Sequence, residues 1–286
     1  MFERILFPTD FSEHAKRALD CIAELPGSRE VILLHVLEDA KPEREQWVED
    51  AIEDSIRHSL DEEEKQLEKA GVLVNSIVRP VTTGSIGEVI VEVAEQEEAS
   101  IVVMSARGKN LTKGILLGSV SSHVLRHAEI HLLIMRDKVI EGLTGKTYQK
   151  YCPMILSRVL CPTDFSRYSD KVIHLIRDIP GIGEVLLFHV VSKGEAREET
   201  INRENALGKL KDRAEILNKY GISTRYFVNH GNPSTEINRL AEVEDVSLIC
   251  MSSYGKGWIK DLLVGNTAAE VAKNSERPIL ILRTRH

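Results

Sequence analysis

Two short clusters in this 286-residue chain carry residue types suited to binding a phosphorylated ligand. Pro8-Thr9-Asp10-Phe11-Ser12 follows one short apolar run, and Ser105-Ala106-Arg107-Gly108 follows another, with Gly118-Ser119-Val120 soon after. Glycine lets a ligand come close to the backbone. The start of a helix presents free N–H groups and the positive end of a dipole, which suits phosphate. An acidic side chain at Asp10 would face that cradle across the cleft. Both clusters return later in the chain. Pro162-Thr163-Asp164-Phe165-Ser166 repeats the first, and Ser252-x-x-Gly255 with Gly265-Asn266-Thr267 repeats the second.

The elements that must position these residues also repeat. Val31–Val36 reads Val-Ile-Leu-Leu-His-Val, and Val185–Val190 reads Val-Leu-Leu-Phe-His-Val. The offset falls from 154 residues (Asp10 to Asp164) to 147 (Gly108 to Gly255), so the second copy is seven residues shorter. The missing residues are expected opposite Glu38–Asp50, a polar and Pro-containing stretch where a length change is tolerated. In copy one, Arg4–Phe7, Val31–Leu37, Val72–Val81, Ile101–Met104 and His131–Met135 read as strands. Ala15, Ala18, Leu19, Ile22 and Ala23 share one helical face, ended by Pro26-Gly27. Glu43–Ala70 reads as a long helix stopped by Gly71, Ile86–Ala94 as an amphipathic helix, and Gly118–Ala128 as the last. Alternating strands and helices predict a parallel α/β sheet with helices on both faces. Uniformly apolar strands agree, because parallel strands are buried on both sides. The domains expected are 1–137 and 158–286, joined by a linker over 138–157. In such a sheet ligands bind beyond the carboxyl ends of the strands, which is where the clusters lie. Met104 and Met251 end the fourth strands as core residues beside the candidate loops.

Composition narrows the function. The net charge of −7 argues against a nucleic-acid partner, which needs clustered Lys and Arg. No apolar run approaches a membrane span, and the amino terminus does not read as a secretory signal, so a cytoplasmic location is expected. Cys21, Cys152, Cys161 and Cys250 form no C-x-x-C pair or metal spacing and read as reduced thiols. His123, His127 and His131 resemble a metal ladder, but their equivalents in copy two are Glu270, Asn274 and Pro278, so no metal is expected there. His35 and His189 end buried strands and read as structural.

The pattern Ser105-x-x-Gly108, nine residues, then Gly118-Ser119, together with Pro-Thr-Asp-Phe-Ser and the His-Val end of strand two, resembles the ATP-binding group of universal stress proteins. The resemblance covers both copies. It implies two tandem open parallel five-stranded sheets of order 3-2-1-4-5, in the adenine nucleotide alpha-hydrolase-like (Rossmann-like) class. It implies that ATP or AMP, with or without Mg²⁺, is held by Asp10 and the Val36 backbone at the adenosine end. Gly108, Gly118 and Ser119 would hold phosphate. Asp164, Val190, Gly255 and Gly265 would do the same in copy two. A regulatory or stress-response role is implied, with the two copies pairing through their last strands and a homodimer as a further assembly.

The family pattern has glycine where Ser105 and Ser252 stand here. Copy two also has Asn266 in place of Ser119, with Thr267 next to it, so copy one is expected to be the better site. Two other functions compete. A slow ATP-hydrolysing enzyme is one, although the loop after strand one has no glycine to wrap pyrophosphate and no P-loop is present. A nucleotide-free interaction scaffold is the other.

Overall fold

A computed structural model describes residues 1–38, 46–108, 117–142, 145–149, 152, 154–191, 199–256 and 263–284. Contacts divide the chain into two compact units, Met1–Ile130 and His131–His286.

In the first unit β1 (Arg4–Pro8), α1 (Glu13–Leu19), β2 (Glu30–Leu37), α2 (Gln46–Lys69), β3 (Leu73–Pro80), α3 (Ile86–Gln96), β4 (Ile101–Ser105) and α4 (Ser119–His127) alternate. The strands run parallel in the order β4-β1-β2-β3. Ile5, Leu6, Phe7, Val31–Leu34 and Ile101–Val103 are buried, the continuous apolar core that parallel strands require. Ser12 and Ser85 cap α1 and α3 by accepting from Ala15 N and Glu88 N. Gly71, at φ +82°, closes α2: its N–H donates to Glu68 O and that of Val72 to Leu67 O.

The second unit opens with β5 (His131–Met135) and an antiparallel hairpin of β6 (Lys138–Gly142) and β7 (Gly145–Gln149). There follow β8 (Arg158–Pro162), α5 (Arg167–Arg177), β9 (Glu184–Val191), α6 (Glu199–Lys219), β10 (Ser223–His230), α7 (Pro233–Val243), β11 (Leu248–Ser252), α8 (Asn266–Asn274) and β12 (Ile279–Leu282). The parallel order β10-β9-β8-β11-β12 is the expected 3-2-1-4-5. β5, the fifth strand of copy one in sequence, groups by its contacts with this unit and lies antiparallel to β12, Leu133 opposite Leu280.

Four sequence readings need correction. The first helix does not run to Ala23: it ends at Leu19 and a separate 3₁₀ turn follows at Ile22–Glu24. The cause is a tightened turn in which Cys21 N donates to Ala18 O, three residues back, while Ile22 stays buried. The seven-residue difference between the copies is split. Gly71 matches Gly221, an offset of 150, so four residues are lost before β10 and three more in the loop before α7. That loop is Val81–Gly84 in copy one and Gly231 alone in copy two. Part of the segment read as linker is the β6–β7 hairpin. Finally, Cys161 and Cys250 are free and buried, but Cys21 and Cys152 are disulfide-bonded rather than reduced.

Candidate functional site

The loop after the first strand has the same unusual shape in both copies. Phe11 and Phe165 stand at φ +58° and +60°, the left-handed region that bulky residues rarely adopt. Local bonds hold the strain in place. Thr9 Oγ1 accepts from Phe11 N at 3.1 Å, and Asp10 Oδ1 accepts from Ser12 N at 3.0 Å. Thr163 and Asp164 do the same for Phe165 N and Ser166 N, each at 3.0 Å. The histidine at the end of strand two completes the lock. His35 Nδ1 donates to Thr9 O at 2.9 Å and His189 Nδ1 to Thr163 O at 2.8 Å, the carbonyl oxygen fixing the nitrogen as donor. Phe11 stacks on His35 with ring centres 4.5 Å apart, and Phe165 lies 4.3 Å from His189. These histidines are structural, as the sequence suggested, and their task is to aim the Asp10 and Asp164 loops.

Across the crevice the two glycines of each pattern do different work. A Cβ on Gly108 would fall 2.6 Å from Asp10 Oδ2, and one on Gly255 2.7 Å from Asp164 Oδ2. Glycine is required there by the aspartate itself. Among the described residues a Cβ on Gly118 or Gly265 would meet only a carbonyl oxygen, at 3.5 or 3.4 Å, and both residues have ordinary φ of −72° and −75°. The protein's own packing does not demand glycine at those two positions. Both are N-caps without a side-chain cap bond, whereas α1, α3, α5 and α7 are each capped by a serine or asparagine side chain. Ser105 and Ser252 have no positive φ, so replacing the family glycine with serine strains nothing. Their hydroxyls shape the loop: Ser105 Oγ donates to Arg107 O, and Ser252 Oγ accepts from Tyr254 N at 3.1 Å.

In copy two Pro162, Thr163, Asp164, Val190, Met251, Ser252, Gly255, Gly265, Asn266 and Thr267 all line one cavity of about 370 Å³. All ten were singled out from sequence, and the volume lies within the ~300–1,000 Å³ usual for small-molecule sites. Burial alone would push the Asp164 carboxyl up, but donors from Ser166, Lys256 and Ser169 outweigh it and hold the group below its usual range. Lys256 N donates to Asp164 Oδ2 at 2.6 Å, fastening the glycine loop to the aspartate. In copy one Pro8 ends β1 with Thr9 and Asp10 just beyond it, Val36 stands in β2, and Met104, Ser105, Arg107 and Gly108 lie at the end of β4. Gly118 reaches the same loop, its N–H donating to Ala106 O at 2.9 Å, and Ser121 Oγ donates to Ser105 O at 3.0 Å. Ser119 and Val120 line an open groove of about 840 Å³ together with the longer Val81–Ser85 loop and His123.

Sequence reasoning missed Glu63. It lies in an acidic run, yet it is only 4% exposed, and its Oε1 accepts from Thr9 Oγ1 at 3.0 Å. The available signal was periodicity, because Leu60, Glu63 and Leu67 share one helical stripe and the two leucines are buried. The histidine ladder forms no ligand set. His123 and His127 stack with ring centres 4.0 Å apart, and His131 Nδ1 accepts from Arg283 N, with burial and Arg283 pushing its pKa down to about 4. Among the described residues no group of three His, Cys, Asp or Glu is placed to hold a metal ion.

A parallel α/β sheet with paired glycines beyond its fourth strand and an aspartate loop beyond its first is built twice in this chain. The model of the universal stress protein family matches residues 1–136 and again 156–283, and the chain belongs to that family. It is 30% identical over 160 residues to a universal stress protein of Methanocaldococcus jannaschii, spanning 48% of this chain and 97% of the relative. A universal stress protein of Mycolicibacterium smegmatis is 23% identical over 253 residues, 82% of this chain and 78% of the relative. The crystal structure of a universal stress protein from Archaeoglobus fulgidus matches with a TM-score of 0.72 at 23% identity, covering 98% of this chain and 96% of that one.

Proposed function

We propose that this universal stress protein binds an adenine nucleotide, ATP or AMP, in the crevice of each copy and acts in a regulatory or stress-response role. The observation that carries the reading is the pair of bare helix starts at Gly118 and Gly265, where among the described residues no side chain caps the first turn and no packing requires glycine. Such a terminus suits phosphate. Gly108, Gly118, Ser119 and Val120 take the phosphates in copy one, with Gly255, Gly265, Asn266 and Thr267 in copy two. Asp10 and Asp164, with the Val36 and Val190 backbones, take the adenosine end. Copy one binds more tightly, because Ser119 is shorter than Asn266 and leaves the phosphate nearer the helix start. When Mg²⁺ accompanies the nucleotide, it supplies charge to the phosphates.

Binding exceeds turnover, because among the described residues of the crevice no base is paired with a positioned nucleophile. It acts in the cytoplasm. No helix among the described residues is long and apolar enough to cross a membrane. The two copies pair through their last strands, a reading supported by the β5–β12 register, and homodimers assemble from that unit. The test is to denature freshly purified protein and identify the released small molecules by mass spectrometry. Adenine nucleotide in stoichiometric amount is expected. Its absence, together with no heat of binding on adding ATP or AMP, would reject the reading in favour of a nucleotide-free scaffold.

A further inference from the structure

Glu63 sits where nothing in the nucleotide reading calls for a carboxyl. It belongs to α2, is almost wholly buried, and anchors the loop that carries Asp10 through Thr9 Oγ1. The same Thr9 oxygen accepts from Phe11 N, so Glu63, Thr9 and the left-handed Phe11 form one chain of bonds. The other carboxyl oxygen, Oε2, is buried with no hydrogen-bond partner among the described residues. An ionised carboxylate left in that state is costly, and the group relieves the cost by taking a proton. The charged groups facing it are Lys16 on α1, which favours the anion, and Asp10 beyond β1, which opposes it. Burial dominates and pushes its pKa up to about 7, even against the hydrogen bond from Thr9.

Copy two answers the same position differently. Gly71 and Gly221 end the equivalent helices, which sets Arg213 in place of Glu63, and Lys16 is replaced by Asp170. The charges are exchanged. Arg213 Nε and Nη2 donate to Asp170 Oδ1 and Oδ2 at 2.7 and 2.9 Å, and the guanidinium lies 4.9 Å from the Phe165 ring centre. Thr163 Oγ1 turns to Ser169 Oγ instead, at 2.9 Å. A guanidinium is a fixed cation in proteins, whereas a carboxyl can take up a proton.

We propose that Glu63 is a positioning residue that links nucleotide binding in copy one to proton uptake, and that copy two, with Arg213 in its place, lacks this link. The proposal rests on the nucleotide reading above. An anionic ligand beside Asp10 adds negative charge near Glu63, so the carboxyl holds its proton more tightly in the complex than in the free protein. By linkage, the ligand then binds more tightly to the protonated form. If the bound anion raises proton affinity about tenfold, nucleotide affinity in copy one falls about fivefold between pH 6 and pH 8.

The test uses the full chain with AMP as probe. Calorimetry on Gly265→Val reads copy one and on Gly118→Val reads copy two, each across pH 6–8 and in buffers of different ionisation heat. Glu63→Gln, which keeps the acceptor for Thr9, serves as the control that retains AMP's own phosphate titration. The expected result is a fall of about fivefold in copy one beyond that seen with Glu63→Gln, with net proton uptake near pH 7 that the variant loses. Copy two should show only the ligand's own titration. In the free protein, a carbon-13 carboxyl resonance titrating near pH 7 should vanish in Glu63→Gln. Binding with the same pH profile in both proteins, or a Glu63 carboxyl that titrates below pH 6, overturns the proposal and leaves the nucleotide reading standing. No AMP binding in any background overturns both.

Discussion

The two copies build the same first loop and support it by different means. In each, a threonine hydroxyl accepts from a phenylalanine N–H and an aspartate from a serine N–H, and a histidine holds the threonine carbonyl. One layer out the copies part. Thr9 leans on Glu63, a buried carboxyl whose second oxygen has no partner among the described residues, whereas Thr163 leans on Ser169 while Arg213 and Asp170 close a bidentate pair. The loop geometry therefore does not depend on any one supporting residue. What differs is the electrostatic setting: a titrating group behind the first crevice and a fixed, paired charge behind the second.

The largest expected effect separates those settings by stability. The Glu63 carboxyl is raised from 4.5 to about 7. A raised acid group adds stability below its unfolded pKa and loses it as pH rises through the folded value. Its burden is therefore small at pH 4.5 and complete above pH 7. Glu63→Gln should raise unfolding free energy by about 1–3 kcal/mol at pH 8 and change it little at pH 4.5. Arg213→Met should show no such pH dependence. Denaturant melts at both pH values check this.

Next in size is the contrast between the two kinds of glycine. Gly108→Ala and Gly255→Ala drive a methyl into Asp10 or Asp164 at 2.6 or 2.7 Å and should each cost about 1–3 kcal/mol. Loss of the loop caps is smaller. Ser12→Ala and Ser166→Ala should each cost about 1 kcal/mol, since each hydroxyl satisfies one helix N–H. Smallest is Gly118→Ala or Gly265→Ala, where the methyl meets only ordinary contacts. Stability should stay within about 0.5 kcal/mol of the parent. If these two unfold the protein as readily as Gly108→Ala, the division between structural and ligand glycines is wrong.

Much of the fold was legible because buried parallel strands announce themselves as unbroken apolar runs. β5, His131–Met135, matches its sequence bounds to the residue, and the family resemblance implied the order found in copy two. The candidate residues of copy two came from strand ends together with the family pattern, and they line one cavity because strand ends define the crevice. Other features depend on what lies across space. The sequence shows Gly108 and Gly118 as two members of one motif, and only the distance to Asp10 separates them. Glu63 is one acid among several in α2, and its burial follows from a stripe shared with Leu60 and Leu67. The 3₁₀ turn after α1 is invisible because Ile22 is buried in either geometry. The hairpin at Lys138–Gln149 carries no helical period and was read as linker.

The most direct test of the central claim is calorimetric titration of the intact chain with AMP and with ATP, set beside Gly118→Val, Gly265→Val and the double variant. A branched side chain at either position blocks the backbone approach that phosphate needs. The account predicts two sites in the parent, one lost in each single variant and both in the double. Gly118→Val should lose the tighter site, with affinity there reduced at least about tenfold, equivalent to about 1.4 kcal/mol. Binding that survives unchanged in a double variant that is still folded would place the nucleotide elsewhere and contradict the account.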